Sequence, residues 1–168
     1  MVINSSGELV KTEIAGPPTY EDWEKSYKVF FTACIMLEQV TPAVLQRYMD
    51  KIKRYVLRYS NKSWALIYQA DTRMRQEHWE RVRRRGAEEQ RKALALGAYH
   101  GYDTNRPWEW TIAASLEDAS WWREELEDHC LLFLAKCAKL ENLVEGEAPT
   151  VEAHDSGAIG NNLIDSPR

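Results

Sequence analysis

Cysteine is scarce in this chain and poorly placed for chemistry. Cys34, Cys130 and Cys137 are an odd three with no disulfide-framework spacing, which points to a reducing compartment. Cys130 and Cys137 fall on one predicted helix about 10.5 Å apart along its axis, too far to share a metal or a disulfide, so packing is their expected role. No paired Cys or His pattern suggests a metal, and no Gly-rich loop suggests a phosphate cradle. No apolar run approaches about 18 residues, so no membrane-spanning helix is expected. The amino-terminal stretch shows neither a basic segment nor an apolar core of a secretory signal, and the expectation is an intracellular protein of cytoplasm or nucleus. Asp71, Glu77 and His78 invite an acid–base reading, but Asp71 and His78 stand about two turns apart on one straight helix. No catalytic residue, cofactor or metal is expected.

What the chain does have is aromatic mass, helical periodicity and an uneven distribution of charge. Its 168 residues, 44% apolar and 29% charged, suit one globular domain with tails. Seven Trp and eight Tyr read first as anchors of a helical core, each burying ~150–250 Å². The net charge of −4 conceals a basic middle. Residues 46–92 carry 14 Lys/Arg against 6 Asp/Glu, and the remainder carries 8 against 20. A basic centre between acidic flanks can bind a polyanion or dock its own acidic segments, and composition leaves both open.

Spacing predicts an all-α fold, a single compact domain of about five helices near residues 19–38, 42–59, 63–92, 107–115 and 116–141. The domain is expected to span 19–144, between a flexible leader at 1–18 and a disordered acidic tail at 145–168. Thr19, Thr41, Ser63 and Ser115 are the predicted caps, with Pro42 and Pro107 opening their helices. Trp64, Ile67, Asp71, Met74, His78 and Val82 share one face of the third helix. Asp71 on that face implies a hydrogen-bonded partner, either Arg75 or a Tyr or Trp from a neighbouring helix. The first helix carries Trp23, Tyr27, Phe30, Phe31, Cys34 and Leu37, and apolar Val29, Ala33, Ile35 and Met36 around its second half predict a central position. The last helix shows a seam of Ala119, Trp122, Leu126, His129, Phe133, Cys137 and Leu140. Trp23, Phe30, Ile52, Trp64, Ile67 and Trp122 are expected to meet in one core. After Gly86 the chain favours helix but offers little to bury, which suggests a solvent-exposed arm.

The candidate binding residues are basic. Arg47, Lys51, Arg54 and Arg58 line one face of the second helix with Asp50 as the lone acid among them, and Arg81, Arg83, Arg84 and Arg85 crowd the third. A short turn at Ser60–Lys62 makes the two helices antiparallel, so the groups form a long strip and not a pocket. Such a strip suits the backbone of RNA or single-stranded nucleic acid, bound without reading sequence. The competing reading lays the acidic last helix, with Glu124, Glu125, Glu127 and Asp128, against the strip in the same or a neighbouring chain.

Several strings together resemble a known family. They are Pro18-Thr19-Tyr20-Glu21-Asp22-Trp23 through Leu37, Val40-Thr41-Pro42-Ala43, and Trp64-Ala65-Leu66-Ile67-Tyr68-Gln69-Ala70-Asp71. Arg73, Arg75, Glu77, Arg81-Val82-Arg83, Pro107-Trp108 and Trp121-Trp122 complete the set. Over residues 17–135 the chain resembles gag-like helical segments of retrotransposon polyproteins from unicellular algae. The resemblance implies a non-catalytic domain that self-associates, as a homo-oligomer or in a larger assembly, and binds nucleic acid. It departs from the gag pattern in lacking a Cys-x-x-Cys knuckle, so any nucleic-acid binding would rest on the basic helices. A helical scaffold or adaptor subunit of a larger protein assembly is the alternative.

Overall fold

Thr19 starts the helical domain as its sequence suggests, its hydroxyl accepting from the Asp22 amide, and α1 runs over Tyr20–Met36. The computed structural model describes residues 2–3, 9–10 and 16–146, with side-chain surroundings from 16 to 141. It is an all-α domain. Helix α2 spans Pro42–Tyr59, and a 3-10 turn at Asn61–Ser63 leads into α3, Trp64–Arg73. Helix α3 passes through a π turn, Met74–His78, into α4, Trp79–Ala95, as one rod. A loop then returns to α5, Pro107–Glu117, and a second rod comprises α6, Ala119–Trp122, a π turn, Arg123–Glu127, and α7, Asp128–Gly146. Counting each rod once gives five helices among the described residues. Of the expected leader, Val2–Ile3 pairs antiparallel with Leu9–Val10, ahead of the first helix in the chain. The rest of it up to residue 15, and the expected tail from 147 to 168, lie outside the described residues.

Helix α2 is the centre, burying eight side chains from Val44 to Tyr59. The expectation that α1 is central fails, because Val29 and Met36 are 72% and 79% exposed. Helix α1 buries only its first half, through Tyr20, Trp23 and Tyr27. The core is an aromatic column: Trp23 stacks on Tyr27 at 4.9 Å, Tyr27 on Tyr48 at 5.7 Å, and Trp122 lies 5.3 Å from Tyr55. Trp23, Ile52, Trp64, Ile67 and Trp122 meet there as expected, with Phe30 packed against the edge. Asp71 is wholly buried and accepts from Trp23 Nε1 (2.8 Å), Tyr48 Oη (2.8 Å) and Arg75 Nε (3.1 Å). Both partner types foreseen for it are present, and they tie α1, α2 and α3 together.

Thr41 and Ser63 stand at the N-cap positions of α2 and α3 but make no side-chain cap bond, and Ser115 is not at a cap position at all. The Thr41 hydroxyl and amide both donate to Glu109 on α5, at 2.6 Å each, so Thr41 serves a tertiary contact. Ser63 Oγ donates back to the Tyr59 carbonyl, and Ser115, buried inside α5, donates to Thr111. The second rod is capped by Asp118, which accepts from the Trp121 amide. Ser and Thr hydroxyls bond equally well to a carbonyl one turn back, and burial favours that choice.

Both rods contain a π turn for a visible reason. Met74, His78, Val82, Gly86 and Gln90 are all buried at steps of four, and each such step drifts about 40° on an α-helix. The extra residue of a π turn removes about 100° of that drift. Helix α4 continues through Gly86, whose bare Cα meets Trp110 and Tyr102; beyond it Gln90 is buried, while Glu88, Arg91, Lys92, Leu94 and Ala95 are exposed, as expected of the arm. In the second rod the buried line runs Trp122, Leu126 and Cys130, continuing through part-buried Leu134 and Cys137. His129 of the expected seam is exposed because the π turn rotates the face by one residue, to Cys130; Ala119, ahead of the turn, and Leu140 are exposed too.

Candidate nucleic-acid interface

Along α2, inward positions at steps of three and four take Leu45, Tyr48, Ile52 and Tyr55, so residues between them must face out. That puts Arg47, Lys51, Arg54 and Arg58 on one stripe, about 16 Å long at 1.5 Å per residue. The end of α5 rises beside it. Arg47, Asp50, Lys51, Arg54, Leu116 and Glu117 enclose an open groove of ≈ 640 Å³. Lys51, Arg54, Tyr55, Arg58 and Glu127 enclose a second of ≈ 290 Å³. Lys51 and Arg54 line both, so the two form one trough along the helix.

The cations in the trough are not equivalent. Lys51 is half-buried, donates from Nζ to the Leu116 carbonyl at 2.7 Å, and lies 4.9 Å from the Trp122 ring centre. Burial, with Arg54 close by, lowers its pKa. Arg47 pairs with Glu117, and Arg58 lies 3.6 Å from Glu127, which also accepts from Tyr55 Oη. Arg54 has no carboxylate within 4 Å among the described residues. The acidic last rod thus does lie partly against the strip, within the same chain, through Glu127. Both arginines remain more than half exposed, and such pairs are worth only ~0–1 kcal/mol, so an incoming phosphate can displace them.

The second basic group is divided by helical phase. Arg83 and Arg84 converge on Glu80, with Arg83 Nε at 2.7 Å and Arg84 Nε at 2.8 Å, and Arg83 also lies over Trp108. Arg81 and Arg85, one turn apart, are exposed and flank a different feature. Buried His78 sits 3.1 Å from Asp118 and 5.0 Å from the Trp121 ring. Burial lowers the His78 pKa, and Arg81 and Arg85 push the same way against the pull of Asp118. For Asp118, burial is overcome by hydrogen bonds from Ser120 and the Trp121 amide, with His78 and Arg85 adding to them, and its pKa falls.

The corner between α5 and α6 joins the two groups. Glu117 faces Arg47 on one side, and the next residue, Asp118, faces His78 and the field of Arg85 on the other. Of the eight predicted residues, Arg47, Lys51, Arg54 and Arg58 share one trough, Arg81 and Arg85 lie toward the α5–α6 corner, and Arg83 and Arg84 turn to Glu80. Glu117, Glu127 and the Leu116 carbonyl belong to the trough but were missed, because they approach from about 70 residues away with no local signal. Among the described residues no cluster of three or more His, Cys, Asp or Glu could hold a metal, and no helix is long and apolar enough to cross a membrane. No family model, curated protein or solved structure matches this chain.

Proposed function

We propose that this chain is a non-catalytic, gag-like helical domain that binds the sugar-phosphate backbone of RNA or single-stranded nucleic acid along α2. One observation carries the reading: four cations repeat about every 5.5 Å along a continuous open trough, with Arg54 free of carboxylates at its middle. Spacing of that kind follows a chain of charges and not a compact ligand. The guanidinium and ammonium groups are strung along one exposed helix face, where they meet phosphate oxygens of any sequence, so binding is sequence-tolerant. Glu117, Glu127 and Asp50 reduce the local field, so affinity is modest and falls steeply with salt.

A labelled oligouridine titrated by fluorescence anisotropy over a salt series tests this. Three or four neutralised phosphates predict a log–log slope of about −2 to −3 on a single strand. Arg54→Ala and Arg47→Ala each weaken binding and flatten the slope by about 0.7. Arg83→Ala, already committed to Glu80, leaves both nearly unchanged. No binding at low salt, or equal loss from Arg83→Ala, refutes the proposal. Exposed leucines on α7 favour the scaffold reading as a second function.

A further inference from the structure

Among the described residues, helix α7 carries apolar side chains on its exposed side as well as on the side packed against the domain. Cys130, Leu134 and Cys137 face the domain, Cys130 with no exposure at all. Leu131 and Leu132 are 54% and 57% exposed. Exposed leucines among charges, on a helix whose other face is packed, mark a side that a partner can cover. At 100° per residue the direction opposite Cys130, Leu134 and Cys137 is occupied by Asp128, Leu132, Ala135 and Lys139. All four are exposed.

Their order is what identifies the occupant. The steps between them are four, three and four, which read the same in both directions. The apolar pair lies in the middle, an acid stands at one end and a base at the other. Turning a second copy about a two-fold axis between residues 133 and 134 places Leu132 against the partner's Ala135 and Asp128 against the partner's Lys139. A leucine beside an alanine gives the large-against-small fit of a helix seam. A parallel pair would instead oppose Asp128 to Asp128 and Lys139 to Lys139. The end charges are available for this: the ion pairs of the rod use Glu124, Glu125, Glu127 and Glu141. Asp128 and Lys139 have no opposite charge within 4 Å among the described residues.

We infer that the chain self-associates as an antiparallel two-fold dimer through α7, with Leu132 and Ala135 as the seam and Asp128–Lys139 pairs closing both ends. The surface is isologous, so it saturates at two copies and does not propagate a filament. The seam is three turns long, about 16 Å, short of the area of a standard stable interface, so the dimer is reversible with a dissociation constant near or above ~1 µM. The inference is independent of nucleic-acid binding, since α2 and the exposed face of α7 share no residue.

Sedimentation velocity on the full chain, from about 10 µM to about 1 mM, tests it. Asp128→Lys and Lys139→Asp each turn two attractive end pairs repulsive and raise the dissociation constant about tenfold, or ~1.4 kcal/mol. The double exchange Asp128→Lys with Lys139→Asp restores the pairs and returns the constant to within about threefold of wild type. Leu132→Ser abolishes the dimer. All the altered side chains are exposed, and an unchanged thermal unfolding curve confirms that the fold is intact. A wild type that stays monomeric across the range, a dimer indifferent to all four variants, or a double exchange as weak as the singles would each overturn the inference.

Discussion

Replacing Asp71 by Asn is the sharpest test of how this domain is held together. The two side chains are the same size, so the change leaves packing alone and alters only charge and hydrogen bonding. In the folded protein the carboxylate accepts from an indole on α1, a phenol on α2 and the Arg75 guanidinium one turn on. An amide can accept through one oxygen only, and its NH2 must then face another donor. Two hydrogen bonds to a charged acceptor, each ~1.5–3 kcal/mol, are lost or degraded. Arg75 also loses its counter-charge, although its side chain is 29% exposed and water recovers part of that cost. The balance is about 3 kcal/mol of destabilisation, comparable with breaking a buried ion pair. In urea this moves the unfolding midpoint down by about 1–2 M at unchanged slope. Arg75→Met with Asp71→Asn should cost at least ~1 kcal/mol less than the sum of the two singles, because the second change removes the stranded charge. A cost below about 1 kcal/mol, or strict additivity, would show that the three-helix junction does not depend on this carboxylate.

Gly86→Ala sets propensity against packing. Propensity alone predicts a gain of about 1 kcal/mol in a helix interior, but the new Cβ would lie 2.4 Å from Trp110 and 2.7 Å from Tyr102. We expect a net loss of about 1–3 kcal/mol and a lower melting temperature, and a raised one would contradict the close approach of α4 to the rings. The His78–Asp118 corner makes the fold acid-sensitive. His78 has its folded pKa lowered, so the unfolded chain takes up its proton first and stability falls as pH drops through about 6.5 toward the folded value. Asp118, with a lowered folded pKa, withdraws its own contribution further into acid. Urea midpoints measured between about pH 7.5 and pH 5.5 should fall for wild type and fall less for His78→Gln; parallel pH profiles would exclude His78 as the cause.

Local physics made much of this protein legible. Thr19 with Asp22, Pro42 and Pro107 each act within one turn of chain, and the helices begin where these residues stand. The three-and-four spacing from Trp64 to Val82 names a face that is buried at every position, Asp71 and His78 included. Asp71 announced its own partners, since a carboxylate on that face must be satisfied. The basic stripe of α2 was readable for the same reason, its apolar positions dictating what faces outward. Hydroxyls were less legible: Thr41, Ser63 and Ser115 have two hydrogen-bonding options each, and burial or Glu109 made the choice.

The sequence by itself determined where the helices lie, which residues could share a face, and that a basic stripe would run along α2. Only the tertiary structure decided helix phase beyond the π turns, the neutralisation of the stripe and the open face of α7. A residue inserted at Arg123–Glu127 shifts the buried line from His129 to Cys130, and the turn is held from another helix: Arg73 donates to the Glu125 carbonyl at 2.9 Å and pairs with its carboxylate. Glu117 and Glu127 reach the stripe from about 70 residues along the chain. The reason is common to all three. Helix capping and periodicity are interactions over one to four residues, fixed by backbone geometry, whereas a turn's phase and a cation's partner depend on which distant surface packs against it.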